Sequence, residues 1–192
     1  MKISRISIFG RSQHSKGLAF ENLMGLVLDS LGYTNIIRRS IRPGLEIDLE
    51  ADHKALNIHL LCECKAYKNP ITTRSLRDFF GNYNYEQPEA NKQLKAAFFS
   101  ISGYTGQAHS WYKGMAPDKK NNFEIYDLEK IEGLLVQGKL LLPEEEVDSI
   151  IRRNTDLPLG ERYLLFFRSH LYLVQLIDVA GIHERFIILT AR

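Results

Sequence analysis

Residues 45–65 read LEIDLEADHKALNIHLLCECK, and the order of apolar and acidic side chains along them decides the fold class. From Leu45 to Ala51 the two kinds alternate. A strand sends successive side chains to opposite faces, so Ile47, Leu49 and Ala51 are expected on a core face and Glu46, Asp48 and Glu50 on the other. A short polar loop around Asp52–Lys54 follows, and Leu56 to Lys65 is then an almost continuous apolar run of strand length. That is the pattern of a strand buried on both faces near the centre of a sheet. If the two strands form a hairpin centred near Lys54, paired residue numbers sum to about 108–110, which sets Asp48 opposite residues 60–62.

Glu63 and Lys65 are two residues apart and share one face of their strand. With Asp48 on the neighbouring strand, two carboxylates and an ammonium come within reach of one another. Phosphodiester hydrolysis needs that combination. A hard divalent cation prefers oxygen ligands and keeps several of its waters, so carboxylates suit it. A nearby lysine orients or helps deprotonate the attacking water, or stabilises charge developing on the phosphate. Taken singly, an acid-x-Lys pair is equally a surface ion pair, and acids at 46, 48 and 50 are equally a solvated face.

Working outward, Leu18, Leu23, Val27 and Leu31 recur at helical spacing, which predicts a helix over Ser15–Leu31 with Ser15 as N-cap and Gly32 as terminator. Gly25 interrupts it, at a cost of about 1 kcal/mol relative to Ala unless close packing requires it. Asn35–Ile41 reads as a strand ended by the Pro43-Gly44 turn. After the central pair, Thr72–Tyr85 reads as a helix with Leu76, Phe79, Phe80 and Tyr83 on one side. A strand (Lys95–Ser102), a helix (Gly103–Met115), a strand (Asn122–Tyr126) and a helix capped by Asp127 (Asp127–Val136) follow. This is an α/β order, a mixed sheet flanked by helices. The last forty residues change character: Arg162–Phe167, Leu171–Ile177 and Arg185–Thr190 predict a β-meander, with Glu144–Pro158 as a hinge before it.

Three stretches, GLAFENLMGLVLDSLGY, PGLEIDLEA and LLCECKAYKNPITTRSLRDFFGNY, in that order, resemble the Mrr-like type IV restriction endonucleases of the PD-(D/E)XK nuclease superfamily. The resemblance rests on a helix with a Phe-Glu pair and Gly-Tyr at its end, an Ile-Asp on one strand, an acid-x-Lys on the next and a following helix with Phe-Gly. It covers roughly residues 15–136. It implies a restriction-endonuclease-like mixed sheet; with the C-terminal β-meander read from its own pattern, the chain is expected to divide into a nuclease-like domain over residues 1–143 and a hinge with β-rich appendage over 144–192. It implies Asp48 and Glu63 as ligands of Mg²⁺, for which Mn²⁺ substitutes, with the backbone carbonyl of Cys64 as a further ligand. Lys65 would position water and stabilise charge, and Glu21 on the first helix would support the metal or its water shell. Where such proteins often carry Gly-x-Asp, this chain has Glu46-Ile47-Asp48, so Glu46 stands as a competing ligand or a sign of altered geometry. Lys68, Arg74 and Arg77 are candidates for phosphate contacts, with a solvated helix face as the alternative.

Composition agrees with this reading. Hydrophobic residues make up 44% of the 192, and no apolar run approaches the roughly 20 residues of a membrane span. A cytoplasmic protein is expected, since the start has no secretory pattern. Cys62 and Cys64 would point the same way on a strand, which suits core thiols better than a disulfide or a zinc site. The histidines lack HxH or HExxH spacing, and Gly10 and Gly17 form no phosphate-binding loop. Gln107, His109, Trp111 and Tyr112 read as a helix face that packs locally, with DNA contact as the other reading. The expected activity is metal-dependent DNA cleavage in bacterial restriction or anti-phage defence, by a homodimer or higher oligomer, or by a chain tethered to a sensor domain absent here. An idle DNA-binding or assembly module on the same fold, or a nuclease specific for junctions or RNA, is the alternative.

Overall fold

The computed structural model describes residues 3–42, 45–86, 91–179 and 182–190; the Pro43-Gly44 turn and the turn at Gly181 lie outside them. The chain runs β1 (Ile6–Ile8), α1 (Gln13–Ser30), β2 (Thr34–Arg42), β3 (Leu45–His53) and β4 (Ile58–Lys65). It continues α2 (Thr73–Tyr85), β5 (Gln93–Ser100), α3 (Gly106–Lys113), α4 (Pro117–Lys120), β6 (Phe123–Tyr126) and α5 (Leu128–Gln137). Last come α6 (Glu144–Asn154), β7 (Leu159–Phe167), β8 (His170–Val179) and β9 (Ile182–Thr190).

Five strands form a mixed sheet in the order β2-β3-β4-β5-β6. The apolar run of β4 places it at the centre, as its pattern predicts. β2, β3 and β4 pair antiparallel through short connections, whereas β4, β5 and β6 pair parallel. Parallel neighbours need crossover connections, which α2 and the α3–α4 pair supply. On one face, Phe20, Leu23, Met24 and Val27 of α1 and Ile131 of α5 pack with Leu49, Cys62 and Phe99. On the other, Leu76 and Phe79 of α2 and Ala108 of α3 pack with Phe98 and Phe123. Both faces are thus covered, the usual state of parallel strands.

Two local expectations shift. The cap of α1 is Ser12, not Ser15: Ser12 Oγ accepts the Ser15 N–H at 3.1 Å and Ser15 Oγ accepts the Ser12 N–H at 2.9 Å, so Ser15 serves as the third residue of a capping box. The β3–β4 connection lies two residues later than read. Its turn occupies Lys54–Leu56 and closes on Asn57 at φ 53, a left-handed conformation that Asn tolerates. Leu49 therefore pairs with Cys62, and the same register continued by one residue aligns Asp48 with Glu63, one position beyond the expected range.

The C-terminal meander forms as predicted in β7, β8 and β9. What the sequence reading lacked is β1, which pairs parallel with β7, setting Ile6 beside Leu164 and Ile8 beside Phe166. The expected hinge is α6. Val147 and Ile151 are its buried stripe, Glu144, Glu145 and Glu146 occupy its first turn, and Arg152 and Arg153 its last, as the helix dipole favours. Asp148 of α6 pairs with Arg162 of β7, a guanidinium only 2% exposed whose Nε donates to Gln175 Oε1 at 2.9 Å. One apolar cluster contains Ile3, Ile6 and Ile8, Phe20 and Val27 of α1, Val147 and Ile151 of α6, and Leu164 and Phe166 of β7. Residues on both sides of position 143 thus share this cluster, and β1 completes the sheet of β7, β8 and β9. Among the described residues, no helix is long and apolar enough to cross a membrane.

Candidate active site

A cleft of about 420 Å³ opens between the N-terminal half of α1 and one end of the five-stranded sheet. The helix contributes Gln13, Gly17 and Glu21, spaced four apart along one stripe, and His14 beside them. Arg39 of β2, Glu46 and Asp48 of β3, and Glu63, Cys64 and Lys65 of β4 form the rest, with Ala66 and Tyr67 just beyond. The structure therefore brings Glu21, Asp48, Glu63, Cys64 and Lys65 together in one place. Gln13 anchors the helix to the strand end, its side-chain amide donating to the Ala66 carbonyl at 3.0 Å.

At the centre, Asp48 Oδ2 accepts the backbone N–H of Cys64 at 2.7 Å and lies 3.4 Å from Lys65 Nζ. The same ammonium donates to Glu63 Oε1. One cation thus spans the two carboxylates that register alignment sets across from each other. Burial, and after it the charge of Asp48, pushes the Glu63 carboxyl up to about 7, with Lys65 pulling the other way. Burial works against the Lys65 ammonium, but Glu63 and Asp48 outweigh it and hold its pKa above the ordinary lysine value. Glu21 is also raised, by burial first and Asp48 second, against the pull of Arg39 and Lys65. The site is a crowd of acids that wants positive charge.

The donor set suits a hard ion. Both cysteine side chains belong to the core on the α1 face, and burial keeps both thiols well above their ordinary range, so neither offers a thiolate. What Cys64 presents to the cleft is backbone. Among the described residues, no three His, Cys, Asp or Glu side chains converge as a closed metal cage. One or two carboxylates, with water filling the remaining positions, are what Mg²⁺ commonly takes from a protein, and Asp48 and Glu63 fit that demand.

Glu50, expected on an open face, is 5% exposed. The face holds because each acid of β3 has a basic partner: Arg39 for Glu46, Lys65 for Asp48, Arg42 at 2.8 Å for Glu50, and Lys92 and His59 for Asp52. Lys68, Arg74 and Arg77 do not line the cleft. Lys68 is exposed one residue past Tyr67, Arg74 is 92% exposed beside Asp78, and Arg77 lies over the Trp111 ring. Trp111 and Tyr112 pack against Phe80 and Phe123, and His109 against Tyr104, in accord with the local-packing reading. Sequence reasoning overlooked Gln13, His14 and, of most consequence for charge, Arg39 among the cleft residues. The signal for Arg39 was faint, a basic residue on an edge strand facing the acids of the next.

Comparison with known proteins places the match over this same region. The family model Mrr_cat, described as a restriction endonuclease, matches residues 13–135. No curated protein matches the chain. Among solved structures, a crystal structure of a protein of unknown function is similar at 16% identity and a TM-score of 0.45, covering 71% of this chain and 78% of its own. A repair endonuclease from Pyrococcus abyssi is similar at 12% identity and a TM-score of 0.42, covering 62% of this chain and 48% of its own.

Proposed function

The chain belongs to the restriction endonuclease family of that catalytic-domain model, and from that premise we propose that it is a Mg²⁺-dependent endodeoxyribonuclease with Asp48, Glu63, Lys65 and Glu21 at its active centre. The observation that carries the reading is the convergence of two carboxylates on one half-buried ammonium at the mouth of a cleft. Asp48 and Glu63, with the carbonyl of Cys64, would hold the ion. When bound, a divalent cation neutralises phosphate charge and makes a coordinated water more acidic.

The chain's own groups do the rest. The Cys64 N–H fixes the Asp48 carboxylate in place. Lys65, well supported by two acids, remains protonated at neutral pH and is suited to orient a water and stabilise charge on the phosphate rather than to act as a free base. Glu21 reaches the cleft from α1, where it would support the metal or its water shell. Hydrolysis would leave 5′-phosphate and 3′-hydroxyl ends. The biological setting we infer is bacterial restriction or anti-phage defence in the cytoplasm. One chain holds one such centre, so cutting both strands calls for a dimer or for successive nicks.

The test is nicking of supercoiled plasmid with Mg²⁺ or Mn²⁺, comparing wild type with Asp48→Ala and Lys65→Ala. Metal-dependent nicking that both substitutions abolish supports the assignment. Nicking that survives both places the activity elsewhere.

A further inference from the structure

Arg39 sits in the middle of β2 with φ 55, in the left-handed region. Its neighbours Arg38 and Ser40 pair with Leu49 and Ile47, so Arg39 stands across the ladder from Asp48. A non-glycine residue there costs roughly 1–2 kcal/mol, and such conformations gather at functional sites. Directly opposed residues of an antiparallel pair share a face, so the side chain lies on the side of Asp48 and lines the cleft, where Nε and Nη2 both donate to Glu46 Oε1 at 2.9 and 2.8 Å. The pair is open to water, 42% and 48% exposed, so its net worth is small.

The charges in the cleft frame the role. Glu21, Glu46, Asp48 and Glu63 face Arg39 and Lys65. A divalent cation would balance that set, and a nucleic-acid phosphate would then add a negative charge with no partner of its own. A guanidinium fork fits phosphate oxygens as well as it fits a carboxylate. Glu46, already half in water, loses little when the fork leaves.

We propose that Arg39 is a substrate-binding residue of this cleft, held ready by Glu46 in the free protein and transferred to a phosphodiester oxygen when DNA binds. The proposal rests on the nuclease reading and gives the Glu46 departure a purpose: it is a placeholder for phosphate, not a metal ligand. The plainer account is that Arg39 only neutralises Glu46.

Binding of a fluorescein-labelled DNA duplex, followed by anisotropy with Ca²⁺ across a salt series, separates the two. Arg39→Ala should weaken binding about tenfold and reduce the slope of log affinity against log salt by about 0.9, one phosphate contact. Arg39→Asn, which tolerates the left-handed conformation, should do the same while melting like wild type. Glu46→Gln should tighten binding, and the double variant Arg39→Ala/Glu46→Gln should keep the reduced slope. Full recovery of wild-type affinity and slope in the double variant overturns the proposal in favour of simple neutralisation. So does an unchanged slope in both Arg39 variants of a protein that binds and cuts DNA. A wild type that neither binds nor cuts DNA removes the nuclease reading, and this proposal with it.

Discussion

Lys65→Met is the substitution most revealing of how the centre is balanced. It keeps much of the side chain's volume and removes the charge that spans Asp48 and Glu63. At the 3.4 Å separation from Asp48, and with an effective dielectric of about 20, the gross attraction is about 5 kcal/mol. Desolvation of the ammonium offsets much of this, and a hydrogen bond to a charged group nets about 1.5–3 kcal/mol. A cation entering the cleft either takes those oxygens from Lys65 or is repelled by it. In both cases the lysine opposes metal binding, so the variant should bind Mg²⁺ or Mn²⁺ roughly ten- to hundredfold more tightly. Cleavage should fall by about 10²–10³, the usual loss when one charge-stabilising donor is removed. Calorimetric titration with Mn²⁺ reads the first effect and plasmid nicking the second. Weaker metal binding by the variant would refute the reasoning, as would wild-type nicking.

Three further outcomes are expected. Burial alone would raise the Asp52 carboxyl, but hydrogen bonds from Asn35, His59 and Lys92 bring it down from 3.8 to about 2. A depressed carboxylate stabilises the fold above its unfolded pKa and loses that contribution as pH falls through the folded one. Asp52→Asn should therefore cost about 2 kcal/mol in urea melts at pH 7, and its stability should decline less than wild type's between pH 4 and 2. A Cβ at Gly25 would meet only the movable Arg38 guanidinium, Nη2 at 3.1 Å, so Gly25→Ala should raise stability by up to about 1 kcal/mol; a lowered melting temperature would mean that Arg38 cannot give way. Phe166→Ala should cost about 3–5 kcal/mol, and heat unfolding should remain a single transition because Phe166 shares its cluster with α1; two separate transitions in calorimetry would contradict the shared core.

The parts of this molecule that the sequence made legible are those in which local pattern and tertiary role agree. β4 is largely apolar because both its faces are covered, and Glu63 and Lys65 share a face because a strand leaves no other choice. The hidden parts depend on distant partners. Glu50 looked solvent-facing, since nothing near it announces that Arg42 will neutralise it in a covered face. Arg39 lines the cleft because the β2–β3 register sets it across from Asp48, and residue type only faintly signals that register. The hinge reading of residues 144–158 overlooked a pattern that was present. Val147, Ile150 and Ile151 stand at helical spacing behind three acids, but the adjacent Pro and charge run suggested a linker. The missed β1 is short, three residues between polar neighbours, and is a strand only because β7 is there to receive it.

That last pairing has a kinetic consequence. The Ser4 N–H donates to the Arg162 carbonyl across a separation of 158 residues. Closing a free loop of that length costs about 4–5 kcal/mol of chain entropy. Contacts so remote in sequence are slow to form unless intervening structure has already drawn the ends together. The five-stranded sheet and α1 supply that scaffold, so the small sheet should be sealed last, after the nuclease core is in place. On the ribosome, β1 emerges before β7, leaving Ile3, Ile6 and Ile8 without their final partners until β7 is made. Such an orphaned apolar segment is the sort of surface on which nascent chains stick to one another. Its brevity, three residues of strand between Arg5 and Phe9, limits how long a mispaired ladder could grow.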